Sequence, residues 1–287
     1  MKLVSFGEKG KERLGVVTEN GPIIDLNLAN RDIPSDMISF LSGNYLKATL
    51  DILNNRDRLK NEHLVDIEKV RIGSPVPMPR LVVCVGLNYK DHADELGDPY
   101  PQNPLLFNKA PTAVCGAFDD IIYPNNVEKL DYEVELGVII KKGGKNIKAS
   151  EAFDHVAGLC VFHDVSARCA QFRDGQWFRG KSFDTFAPMG PYLVTIDEID
   201  DPHNLNLLCL VNGEIRQSSN TKNLIHKIDK LIEYISSSIT LSTGDVIATG
   251  TPCGVGISPK SLGLLKVGDI VEMEIEGVGT IRNRVSK

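Results

Sequence analysis

The stretch KLDYEVELGVII, residues Lys129–Ile140, sets acids at every second position and then turns apolar and β-branched. Side chains alternate faces along a strand, so Asp131, Glu133 and Glu135 share one side. Like charges on one face repel, and a solvated edge is the ordinary reading of such a run. Three features point elsewhere. Gly137 follows at once and leaves room for close approach. The continuation VII predicts a buried strand end. Further along, VFHDVSAR closes a second apolar strand with another acid, Asp164. Glu133 and Glu135 with an Asp from a neighbouring strand make an all-oxygen ligand set, which hard divalent cations choose: Mg²⁺ above all, then Mn²⁺ or Ca²⁺. Three carboxylates without a His would leave coordination positions for substrate and water. That Asp164 meets the two glutamates is an expectation here.

The chain has 287 residues, 42% hydrophobic and 24% charged, with a formal net charge of −6. That describes a soluble globular protein with one large core, or a large domain and a small one. There is no block of Lys or Arg, so no nucleic-acid face is expected. No apolar run nears the roughly 20 residues of a membrane helix, and MKLVSFGEKGKERLG breaks into charge too early for a secretory signal. The six Cys form no C-x-x-C pair and several sit in apolar runs such as LVVCVGL. They read as free thiols in a reducing, cytoplasmic compartment, without a structural zinc.

Residues 1–72 read as a small N-terminal domain. LVSFGEKGKERLGVVTENGPIIDL alternates apolar runs with turns, and SDMISFLSG and KATLDILNNRDRLKN read as helices. GSPVPMPR, 73–80, carries three prolines and reads as a linker. From 81 to 287 strands dominate: LVVCVGL, ELGVIIKK, PYLVTI, LNLLCLVNGEI, DVIATG and IVEMEIEGVGTIRNRV. SEAFDHVAG and NLIHKIDKLIEYISSSIT read as helices. Many strands with few interspersed helices predict a β-rich α+β fold.

Seven stretches in order resemble the fumarylacetoacetate hydrolase family: GLNYKDHADELG (86–97), PLLFNKAPTAVCG (104–116), DYEVELG (131–137), FHDVSAR (162–168), GKSFDTFAPMGP (180–191), LVNGEIRQ (210–217) and GDVIATGTPCGVG (244–256). The resemblance implies a mixed β-sandwich roll as the catalytic domain, preceded by a small α/β N-terminal domain, and a homodimer. It implies Glu133, Glu135 and Asp164 as metal acids and Lys181 as the pocket lysine. Arg168 and Gln171 would hold the oxo-acid end of a substrate, with Thr251 near the same carboxylate. Asp131 matches no metal ligand. Cys253 stands where many relatives carry Pro or a small residue, and reads as a packing variation.

The implied substrates are 2-oxo acids, often with another carbonyl two carbons on. A divalent cation would stabilise the enolate that forms when the adjacent bond breaks. His92 and Glu95, an H-x-x-E pair on one helical turn, can touch and act as a general base. GQWFRGKS (175–182) formally fits a nucleotide-binding loop. Its bulky Trp177, Phe178 and Arg179, and the two prolines that follow, argue against one. His163 should point to the face opposite Asp164, and His226 reads as structural. The leading expectation is a Mg²⁺-dependent hydrolase cleaving a C–C bond in a 2,4-dioxo acid, of acylpyruvate or diketo-deoxy sugar acid type. The runner-up is oxaloacetate decarboxylation, or isomerisation and hydration of 2-oxo-ene-dioates, on the same scaffold. A non-catalytic oxo-acid-binding protein is the reading from another class.

Overall fold

In the computed structural model, which describes residues 1–18, 21–258 and 261–287, Val134–Ile140 is a strand buried at all seven positions. It is central because it has neighbours on both edges: Val156–His163 on one and Val246–Ala248 on the other, both antiparallel. A strand covered on both faces needs a continuous apolar run, which VELGVII supplies after its acids. Gly137 lies opposite Cys160, and a Cβ there would stand 2.7 Å from Cys160 Sγ and 3.3 Å from Phe162 Cβ. Gly137→Ala should therefore cost about 1–3 kcal/mol through overpacking. Thermal unfolding checks this, and an unchanged midpoint would mean that the two strands have slack between them.

The main sheet has eleven strands. From one edge it runs through Leu64–Val65, Ile23–Asp25, Arg13–Val17 and Lys2–Phe6 into Ala187–Thr195, then Val156–His163, Val134–Ile140, Val246–Ala248, Val82–Gly86 and Leu105–Lys109, with Val114–Cys115 beside Ala187–Thr195. Most neighbours are antiparallel, but Val246–Ala248 and Val82–Gly86 run parallel, so the sheet is mixed. A second sheet of five strands, Glu214–Asn220, Asn206–Val211, Ile270–Ile275, Gly279–Ser286 and Ile121–Ile122, packs against it. This is the β-rich α+β architecture expected from the sequence. The N-terminal strands continue the main sheet through Lys2 opposite Val194 and Leu3 opposite Leu193. Residues 73–80 carry neither helix nor strand.

The helices show where local pattern was a good guide and where it was not. Asp36 caps Met37–Ser42 by accepting the amide of Ser39, as the SDM start suggests. SEAFDHVAG is a tight 3-10 run over Ala149–His155, and its VAG opens the strand Val156–His163. The last long helix begins only at Ile228, because the Asn88 amide takes both the N–H and the C=O of His226. His226 thus lies before the helix, its Nε2 3.0 Å from the Pro101 carbonyl.

Candidate active site

The register of two strands assembles the acids. Val134 lies opposite His163 and Glu135 opposite Phe162; one step further out, the Asp164 amide donates to the Glu133 carbonyl at 3.0 Å. With a side-chain period of two, Glu133, Glu135 and Asp164 emerge on one face. One oxygen from each lies within 4.8 Å of the others, and all three residues are buried. Among the described residues this is the one group of His, Cys, Asp and Glu able to hold a metal ion. His163, of opposite parity, is fully buried with Asn283 of the second sheet beside it, and burial holds its imidazole low, at about 3.

Three buried cations answer the acids. Lys181 Nζ donates to Glu133 Oε2 and to Asp164 Oδ2, both at 2.7 Å. Arg168 donates from Nε to Asp131 Oδ2 at 2.8 Å, from one terminal nitrogen to Glu133 Oε1 at 2.6 Å and from the other to Gln171 Oε1 at 3.0 Å. Lys109, fully buried at the end of its strand, gives its protons to the carbonyls of Val165, Lys181 and Phe186 at 3.0, 2.7 and 2.6 Å. Its Nζ also lies 2.6 Å from Asp164 Oδ1. Asp164 is thus held at one oxygen by Lys109 and at the other by Lys181.

These surroundings split the carboxylates. Burial pushes Glu133 upward, but Lys181 and Arg168 outweigh it and hold the group down at about 2. Glu135 accepts, among the described residues, only the Gly250 amide at 2.8 Å. Burial, and then the charges of Asp164 and Glu133, push its carboxyl well above the usual range. Burial works against the charge of Lys181, yet Asp164 and Glu133 raise it overall. With every group ionised, the four acids Asp131, Glu133, Glu135 and Asp164 face the three bases Lys109, Lys181 and Arg168, one positive charge short. An all-oxygen donor set of three buried carboxylates, in a cluster one positive charge short when Glu135 is ionised, suits a hard divalent cation.

Glu133, Glu135, Lys181, Arg168, Gln171, His92 and Thr251 line one cavity of about 350 Å³. Its remaining wall is mainly apolar, including Leu96, Leu105, Phe107, Phe172 and Trp177. His92 Nδ1 lies 3.6 Å from Glu95 Oε2, beyond hydrogen-bond distance but close enough for the carboxylate to orient the imidazole. Glu95 is steadied by the Gly254 amide at 3.1 Å. Burial lowers the His92 imidazole, with Glu133 and Glu95 pulling weakly the other way. Thr251 Oγ1 accepts from Gln217 at 2.8 Å, and Gln217 Oε1 in turn accepts the Val134 amide at 2.9 Å. All nine residues singled out in the sequence thus gather in or directly behind one cavity. The phosphate-loop alternative has no helix after Lys181 to receive an anion. A larger, more open hollow of about 1510 Å³ beside Lys2, Leu46 and Tyr192 holds no such cluster among the described residues.

Sequence reasoning missed Lys109 and Gln217. Lys109 had a signal, a charge closing an apolar strand, the same signature that marked Asp164. Gln217 had none, being one of several polar residues on an edge strand and the only one fully buried there. The six cysteines are free; Cys169 and Cys253 are half-buried and the other four buried.

The profile described as Fumarylacetoacetate (FAA) hydrolase C-terminal matches residues 81–286. The chain is 46% identical over 290 residues to a Bos taurus protein named oxaloacetate tautomerase FAHD2A, mitochondrial, covering 99% of this chain and 91% of that one. It is 45% identical over 275 residues to the Homo sapiens protein of that name, covering 95% and 87%. Among solved structures, a putative HpcE protein from Mycobacterium smegmatis superposes with a TM-score of 0.87 at 35% identity, over 100% of this chain and 99% of that one. Maleylpyruvate hydrolase from Sphingobium sp. SYK-6, in complex with manganese(II) and pyruvate, gives 0.82 at 28% identity over 100% and 99%. Fold, ordered motifs and these likenesses agree: the chain belongs to the fumarylacetoacetate hydrolase family.

Proposed function

We propose that this protein is a divalent-metal-dependent enzyme that moves a proton at the carbon next to the oxo group of a 2-oxo acid, with keto–enol tautomerisation of oxaloacetate as its reaction. The observation that carries the reading is the buried trio Glu133, Glu135 and Asp164 within 4.8 Å of one another. Relatives named oxaloacetate tautomerases, 46% identical across nearly the whole chain, support this choice over C–C hydrolysis. The three carboxylates would hold the ion, Mg²⁺ or Mn²⁺, which when bound supplies a fixed positive charge beside the oxygen where negative charge develops. Arg168 and Gln171 bind the substrate carboxylate, with Thr251 beside it. Lys181 adds a second positive charge near the developing oxyanion. His92, its Nδ1 turned to Glu95, takes and returns the proton through Nε2. A homodimer is part of the same proposal, and analytical ultracentrifugation reads it directly.

One observation favours a second reading, hydrolysis of an acylpyruvate. The cavity wall away from the charges is apolar, with Leu96, Leu105, Phe107, Phe172 and Trp177, which suits an alkyl or aryl tail better than a second carboxylate. In that chemistry His92 would deprotonate water. A panel of oxaloacetate, acylpyruvates and 2-oxo-ene-diacids, followed by enol absorbance and pyruvate release, separates the two. Fast enol–keto exchange of oxaloacetate without pyruvate release, abolished by EDTA, is the expected result. Turnover of acylpyruvates alone would overturn the tautomerase reading.

His92 also sets a pH dependence. Only the neutral imidazole accepts a proton, and burial lowers its pKa from the usual 6.5. The acid limb of kcat/KM should therefore lie below pH 6.5, activity being lost as pH falls through the lowered value. His92→Ala should remove that limb and slow the reaction roughly 10²–10⁴-fold. A limb that persists in the variant would assign it to another group.

A further inference from the structure

Asp131 belongs to the acidic run but not to the trio, and its side chain is wholly buried. Its two oxygens take four donors. Oδ1 accepts the amides of Tyr132 at 2.8 Å and Gly256 at 2.6 Å. Oδ2 accepts the amide of Ile257 at 3.0 Å and Arg168 Nε at 2.8 Å. The backbone is fixed as well, since Asp131 pairs with Ser166 in a two-stranded ribbon just before Arg168. Gly256 is matched to this junction, because a Cβ there would stand 2.4 Å from Asp131 Oδ1.

The Arg168 guanidinium has five N–H donors in a fixed plane. Asp131, Gln171 and Glu133 take three, which leaves two for an incoming carboxylate. The grip at Nε sets the plane in which those two point. The same carboxylate holds Gly256 and Ile257, at the end of the segment whose Thr251, Val255 and Ile257 line the cavity. We propose that Asp131 is a positioning residue that locks the Arg168 guanidinium and the 251–257 wall to each other, so that both meet the substrate carboxylate as one rigid unit. This rests on reading Arg168 as the group that binds that carboxylate.

The test uses the full-length, Mn²⁺-loaded protein with oxalate as probe, titrated by calorimetry. In Asp131→Asn the amide nitrogen must face either Arg168 and Ile257 or the Tyr132 and Gly256 amides, so one donor pair loses its acceptor. Oxalate should bind at least tenfold more weakly while Mn²⁺ affinity stays within threefold. In an R168K background, which lacks Nε, the same change should weaken oxalate less than threefold further, because residues acting through one another are not additive. Gly256→Ala is the second variant should Asp131→Asn not fold; it displaces Oδ1 without removing charge and should weaken oxalate with the same dependence on Arg168. Equal losses of oxalate affinity in both backgrounds, or parallel loss of Mn²⁺ and oxalate binding, overturn the coupling. An oxalate affinity unchanged in R168K alone overturns the reading of Arg168 itself, and the coupling with it.

Discussion

Asp164→Asn is expected to lower kcat/KM roughly a thousandfold and to abolish Mn²⁺ binding in the micromolar range. The substitution preserves shape, so the effect is one of charge. A cation beside a developing oxyanion contributes several kcal/mol to the transition state, and each 1.36 kcal/mol is tenfold in rate. Asp164 is also the shared counter-charge of Lys109 and Lys181, at 2.6 and 2.7 Å. Neutralising it leaves two buried ammonium groups against Glu133 and Glu135, and the field that selects a cation is gone. Steady-state kinetics with a Mn²⁺ titration reads both losses. Activity within tenfold of the parent, with metal still bound, would mean that the reaction does not depend on this trio.

The second large effect concerns stability. Lys109→Met should destabilise the fold by about 3–5 kcal/mol, the usual cost of removing one partner of a buried ion pair. For a chain of this size that is a fall in Tm on the order of 10 °C. The reason is the sum of what the ammonium serves: Asp164 and three backbone carbonyls, none with water to turn to. Burial, and after it the nearby Lys181, lower the Lys109 pKa, and Asp164 opposes them. Added Mn²⁺ should restore part of the lost Tm, because a ligand bound only by the folded state stabilises it. A variant that melts with the parent would make the carbonyl cradle energetically idle.

Much of this site was legible because strands translate sequence parity into geometry. Acids two apart share a face whatever the rest of the chain does, and an acid ending an apolar run must sit at the rim of a buried sheet. Asp131, Glu133, Glu135 and Asp164 could be read that way, as could the opposite face of His163. His92 and Glu95 followed from one turn of helix, Lys90–Leu96. Arg168, Gln171 and Thr251 were readable only through family resemblance, because nothing local distinguishes an arginine that will meet Asp131 from one facing solvent. The strand-end charge of Lys109 marked its place but not its partners, 55 to 77 residues away in sequence, and Gln217, whose partner Val134 lies 83 residues away, had no local pattern at all. The same non-locality explains the helices. Ile228 starts its helix late because of Asn88, 138 residues upstream of His226.

The most direct test of the central claim is a crystal structure of the protein soaked with Mn²⁺ and oxalate, with anomalous scattering used to locate the metal. The account predicts one strong peak within bonding distance of carboxylate oxygens from Glu133, Glu135 and Asp164, with oxalate chelating it by two oxygens. Oxalate seated in the cavity with no peak among those carboxylates, or a peak held by other residues, would contradict it.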